Sequence, residues 1–170
     1  MHRFVLAPAL LCLAACSPTF NWREVRGEAS PLRAVLPCKP DQESRTVPLA
    51  GRQVELRALG CDAGGATYAV LSGDIADPLR AGEVLAQWKA ATLANFRSAA
   101  SRDAAFLPAG AMSLPQSLRV AATGQRADGS RVESEAAYFA RGSRVYQAMV
   151  FTARLGPETV DPFFQGLRFE

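Results

Sequence analysis

The sequence predicts an α/β chain of the α+β kind: an antiparallel sheet with one long helix and a second helix at the C-terminal end. Three observations lead there. Runs with strand alternation fill residues 22–72 and 118–154. A stretch with helical spacing, residues 78–96, separates them. Gly156-Pro157-Glu158 then opens a shorter helical stretch through Phe163-Phe164.

The elements follow in order. Trp22-Arg23-Glu24-Val25-Arg26 alternates as a strand, and Pro31–Pro37 reads as a second strand stopped by proline. Arg45–Leu49 and Arg52–Leu59 form a hairpin turned at Ala50-Gly51, with Val54, Leu56 and Ala58 inward and Gln53, Glu55 and Arg57 outward. Pro48 cannot donate to a ladder, which puts its run on a sheet edge. Asp62-Ala63-Gly64-Gly65 turns the chain into an apolar strand over Ala66–Ser72. Asp77-Pro78 supplies an N-cap and a first-turn proline for the long helix, whose stripe is Ala81, Leu85, Trp88, Thr92 and Phe96. Ser101–Pro115 reads as irregular, and Leu118–Thr123 restarts a strand that turns at Asp128-Gly129. Arg131–Arg141 and Arg144–Arg154 are joined by Gly142-Ser143, a glycine-first loop suited to a type II′ hairpin, so paired residue numbers sum to 285. Val132, Ala136, Tyr138, Ala140, Val145, Met149 and Phe151 then share one face, and Ala137, Phe139, Tyr146, Ala148 and Val150 the other. A hairpin apolar on both faces needs cover on both.

Ahead of all this, Arg3, the apolar stretch Phe4–Leu13 and Leu13-Ala14-Ala15-Cys16 have the layout of a secretory signal. Ten apolar residues fall well short of the ~20 that span a bilayer. Leu-Ala-Ala-Cys resembles the bacterial lipobox, which implies acylation of Cys16 with diacylglycerol and an N-terminus at that residue. The expected organisation is a signal peptide over 1–15, a lipid-bearing Cys16 with a tether through 19, and one globular domain over 20–170. Ser17, in the place where aspartate is linked to inner-membrane retention, points to the outer membrane, facing the periplasm. Extended chain reaches at most ~3.6 Å per residue, so Ser17-Pro18-Thr19 is a short tether. Phe20 and Trp22 then either dock on the domain, as the strand alternation after them favours, or dip into lipid headgroups.

With 49% hydrophobic and 21% charged residues the chain is of ordinary globular composition. The formal net charge of +3 is spread along it, its lysines are Lys39 and Lys89, and no basic run carries interleaved aromatics, so a nucleic-acid partner has no support. Cys12 leaves with the signal and Cys16 carries lipid, which leaves Cys38 and Cys61 in an oxidising compartment. Their midpoint falls at the Ala50-Gly51 turn, so the hairpin brings them together at its open end and a disulfide is expected. The single histidine, His2, is also discarded, which removes imidazole general bases and the usual zinc and copper ligands. No Gly-x-Ser-x-Gly elbow, phosphate-cradling loop or Ser-x-x-Lys occurs. No cofactor and no metal are implied.

The order of strands and helices, the Leu36-Pro37 stop, the long helix from Pro78 and the ending Phe163-Phe164-Gln165-Gly166-Leu167-Arg168-Phe169 resemble the PsbP-like fold. That group has an α/β/α sandwich and includes photosystem accessory proteins and many small exported bacterial lipoproteins. The resemblance covers most of residues 20–170. It implies an accessory or assembly role without catalysis and transfers no functional residue.

Two charged groupings invite a functional reading. Asp74 and Asp77 are a carboxylate pair by position but are explained as turn and helix-cap chemistry. Glu133 and Glu135 share a strand face next to Arg131 and Arg154, which the hairpin register pairs. This is either a solvated mixed-charge sheet end or a small anion site formed by Arg131, Arg154 and Arg119. The expected function is a lipid-anchored, periplasm-facing interaction module with an envelope protein as partner. The alternatives are a small envelope hydrolase using carboxylates, or a carrier of a small apolar or anionic ligand.

Overall fold

The computed structural model describes residues 19–27 and 30–170; the signal stretch and Cys16 lie outside the described residues. The strands form two antiparallel sheets where the sequence suggested one. A small sheet has the order β1-β2-β10, from β1 (Arg23–Arg26), β2 (Leu32–Leu36) and β10 (Arg168–Phe169). The large sheet contains β3 (Asp41–Leu49), β4 (Arg52–Ala63), β5 (Ala66–Asp74), β6 (Ser101–Ala105), β7 (Leu118–Gln125), β8 (Arg131–Arg141) and β9 (Arg144–Thr152). Its order is β3-β4-β5-β9-β8-β7-β6, so the central pair β5–β9 joins the two halves that the long helix α1 (Ala81–Asn95) separates in sequence. The second helix, α2 (Pro157–Gln165), follows β9.

The β8–β9 register is the expected one: Glu133 faces Thr152, Ala137 faces Ala148, and Phe139 faces Tyr146. Gly142 has φ +58°, as a type II′ first position requires. Both faces of the hairpin are covered. On one, Val84, Leu85 and Trp88 of α1 pack on Ala136, Tyr138, Val145 and Met149. On the other, Phe163 and Phe164 of α2 and Leu32, Ala34 and Leu36 of β2 pack on Ala137, Phe139, Tyr146 and Val150. Each fully buried Val, Leu, Met or Phe side chain among them contributes ~1.5–3 kcal/mol. The two layers against the large sheet are therefore a helix on one side and a helix plus small sheet on the other.

The local devices of the sequence also hold. Asp77 Oδ1 accepts the Leu79 N–H at 3.0 Å and caps a 3₁₀ turn, Pro78–Arg80, that leads into α1. Asp74 Oδ1 accepts the Ala76 N–H at 2.8 Å, an Asx turn. β3, with Pro48, is an edge strand. Ala58 is only half-buried, whereas Leu59 is buried on the opposite face of β4. Residues 101–105, expected to be irregular, are the edge strand β6; all five are exposed, so no hydrophobic alternation marks them. A disulfide joins Cys38 to Cys61 with Cα atoms 6.0 Å apart. Phe20 and Trp22 dock on the domain: Trp22 meets Tyr68 edge-on at 5.9 Å and Phe20 stacks on Trp22 at 5.8 Å. No helix among the described residues is long and apolar enough to cross a membrane.

Candidate functional site

The small sheet covers only part of the large sheet, and the uncovered boundary is a cleft. Cross-strand register aligns Ser44, Arg57, Ser72 and Tyr146 in one row of the large sheet and Gln42, Leu59 and Val70 in the next. Val25, Leu32 and Ala34 of the small sheet close over these rows, with Gly27 and Ser30 at the margin. The cleft has a volume of about 270 Å³. Its floor is apolar through Leu59 and Val70, while Glu55 and Arg57 stand exposed on the rim. The rim pair Glu55–Arg57 is loose, at 3.7 Å.

Tyr146 gives the cleft its chemistry. Its residue is 0% exposed, its ring stacks on Phe139 at 5.3 Å, and its edge meets Phe169 at 5.1 Å. Yet its hydroxyl has no hydrogen-bond partner among the described residues. Burial dominates and pushes the phenol's pKa up, opposed in smaller measure by the Ser30 hydroxyl and by the Arg144 and Arg141 guanidinium groups nearby. A buried hydroxyl without a partner costs ~1–3 kcal/mol, so such groups call for an explanation. By contrast, Tyr138 on the other face accepts a hydrogen bond from Gln147 Nε2 at 3.0 Å, and Gln147 also donates to Thr92 Oγ1 at 2.8 Å.

The candidate residues read from sequence lie elsewhere. Arg131 donates to Glu133 at 2.8 Å, and Glu133 also accepts the Leu155 N–H at 2.9 Å. Arg154 lies beyond the end of β9, close enough to help hold Glu133 ionised. Arg119 does not join them. It pairs with Ala137 in the β7–β8 register, six residues along β8 from Arg131, a distance of ~20 Å along the strand. Its guanidinium bonds Glu135 at 2.6 Å, reaches Asp161 at 3.6 Å and lies 4.3 Å over the Phe164 ring. The three arginines therefore do not converge on one anion.

A second, more open groove of about 710 Å³ runs between β6–β8 and the start of α2, and it contains Glu133, Glu135 and Asp161. These are the carboxylates a hydrolase would use, and each already has a cationic partner. The carboxylates whose titration the fold moves, Glu24, Asp74, Glu83, Asp103, Asp128 and Glu133, all move down, each held ionised by hydrogen bonds. A general acid for glycoside cleavage needs the opposite shift. Among the described residues no group of three or more His, Cys, Asp and Glu side chains could hold a metal ion.

No protein-family model matches the chain, and no curated protein matches it. The cleft is therefore read on its own chemistry. Sequence reasoning placed Tyr146 on an apolar hairpin face and missed its role. The available signal was a tyrosine on an otherwise apolar hairpin face, opposite Phe139.

Proposed function

We propose that the protein is a lipid-anchored, periplasm-facing accessory module of the bacterial envelope that acts by binding, and that its binding site is the cleft between the two sheets. One observation carries this reading: Tyr146, whose buried hydroxyl has no hydrogen-bond partner among the described residues, borders a cleft with an apolar floor. Pockets of this make-up, apolar with a few convergent polar groups, are the usual form of small-molecule sites. The ligand class that fits is a small, mainly apolar, uncharged molecule with one carbonyl or hydroxyl for Tyr146. A carboxylate is disfavoured because Glu55 stands beside Arg57 on the rim. The anchor is supported by Leu13-Ala14-Ala15-Cys16 and the short tether after it. Kinship with the PsbP-like group is supported by the order of elements and the helix on each face of the large sheet.

The test uses the uncharged fluorescent probe N-phenyl-1-naphthylamine. Saturable one-to-one binding is expected, lost when Ser72→Phe fills the cleft from β5. Absence of saturable binding, or binding that Ser72→Phe leaves unchanged, would overturn the cleft as the site.

A further inference from the structure

The described chain begins at one end of the large sheet. Phe20 packs against the β4–β5 turn, where a Cβ on Gly64 would lie 2.5 Å from its ring. Gly65 in that turn accepts a hydrogen bond from Thr152 Oγ1 at the end of β9 (2.8 Å), and Thr152 faces Glu133 near the start of β8. The same end continues to the last residues of β7, where the Gln125 N–H donates to the Phe96 carbonyl that closes α1 (2.7 Å). From β5 across β9 and β8 to β7 is three strand spacings of ~4.8 Å, or ~15 Å in all.

This end carries Arg97, Arg126, Arg131 and Arg154, all exposed. The carboxylates beside them are already engaged. Asp128 accepts both the N–H and the hydroxyl of Ser130, and Glu133 accepts from Arg131 and the Leu155 N–H. Arg97 and Arg154 form no salt bridge among the described residues, and Arg126 rests 6.0 Å from the Phe151 ring. Toward the opposite end several arginines pair internally: Arg26 and Arg33 with Glu170, and Arg80 with Glu83.

We propose that this arginine end is a lipid-facing surface that binds the headgroups of anionic phospholipids. The inference rests on the reading of Cys16 as lipid-bearing. Four residue steps from Cys16 to Phe20 span at most ~14 Å, so acyl chains in the bilayer hold the β4–β5 turn at that distance or less. The arginines beside it then lie within one or two Debye lengths (~8–10 Å each) of the headgroups, where charge still attracts charge. Each arginine drawn to an anionic surface changes occupancy about fivefold. The anchor supplies attachment and the arginines supply orientation, turning the two-sheet cleft to the side.

The test takes the native protein, purified from membranes and inserted through its own anchor into vesicles of phosphatidylcholine with or without phosphatidylglycerol. Phenylglyoxal modification of each arginine is followed by mass spectrometry. At Arg97, Arg126, Arg131 and Arg154 the rate is expected to fall about fivefold with phosphatidylglycerol, an effect that screening salt abolishes. Arg52, at the far β3–β4 turn, should react equally in both vesicles. Equal rates at the four arginines, on protein whose Cys16 peptide carries its diacylglyceryl mass, overturn the arginine surface and leave the anchor standing. Slowing at Arg52 to the same degree overturns it as well, because the effect would then have no direction. A Cys16 peptide without lipid mass overturns the anchor and this orientation together.

Discussion

Deleting one oxygen from Tyr146 should strengthen the fold. Tyr146→Phe keeps the ring, its stack on Phe139 at 5.3 Å and its edge contact with Phe169 at 5.1 Å. What it removes is a hydroxyl that the fold buries without a hydrogen-bond partner among the described residues. Relief of that desolvation is worth ~1 kcal/mol or more, and for a domain of this size each kcal/mol raises Tm by ~2–4 °C. Tyr138→Phe is the matched control. There the hydroxyl accepts from Gln147 at 3.0 Å, and its removal leaves a buried amide short of a partner, a loss of ~1 kcal/mol. The same chemical change is thus expected to have opposite signs at two tyrosines of one hairpin, a gap of ~2 kcal/mol. Urea and thermal melts followed through Trp22 and Trp88 fluorescence measure both. Affinity for the naphthylamine probe should fall in Tyr146→Phe and stay unchanged in Tyr138→Phe. A Tyr146→Phe protein as destabilised as Tyr138→Phe would mean that the hydroxyl already has a structural partner, and the argument for the cleft would fail.

Replacing both Cys38 and Cys61 by serine opens a loop with a sequence separation of 23, which by chain entropy lowers stability by ~3 kcal/mol; equal melts with and without the bridge would refute this. Gly124→Ala drives a Cβ into the Phe96 carbonyl, which the Gln125 N–H holds in place at 2.7 Å, so neither side yields easily and ~1–3 kcal/mol should be lost; a wild-type melt would contradict it. Burial pushes the Tyr68 phenol up to about 12 and raises Tyr138 and Tyr146 as well. Unfolded phenols ionise near pH ~10, so this contribution is complete below that pH and is lost as pH climbs from ~10 toward 12. Absorbance at 295 nm should then rise together with unfolding, whereas phenolate appearing near pH ~10 in still-folded protein would refute it. Cys16→Ala should move the protein out of the membrane fraction, and persistence there would sink the lipid anchor.

Much of the fold was legible because it is written in local periodicity. The β8–β9 register follows from one glycine-first turn between two long strand-like runs. The disulfide follows from two cysteines placed symmetrically about a hairpin turn. β6 was illegible because Ser101–Ala105 is exposed throughout and gives no pattern to read. The division into two sheets was equally hidden: β2 finds β10 across more than a hundred residues, and nothing near Leu32 announces Phe169. The cleft is a product of that division. Its rows are legible strand by strand, but the gap above them exists only once β1–β2 leaves the large sheet. Arg119 shows the same limit, since Glu135 lies on the neighbouring strand while Asp161 and Phe164 come from a helix far along the chain.

The Cys38–Cys61 bridge has a mechanical side. β2 is the inner strand of the cleft's roof, and Cys38 follows it by two residues, so the bridge to β4 fastens roof to floor at one edge. On its outer surface the roof is stiffened by a ladder of ion pairs in which Glu24 joins Arg33 and Arg168, and Glu170 joins Arg26 and Arg33. A rigid plate held covalently at one edge is a clamp. Leu32 lies four residues, ~13 Å, from the Leu36 end of β2, so a tilt of ~5° at the bridge moves the gripping edge by ~1 Å. The bridge therefore fixes the angle between roof and floor, and the gape of the cleft follows from the position of one covalent bond.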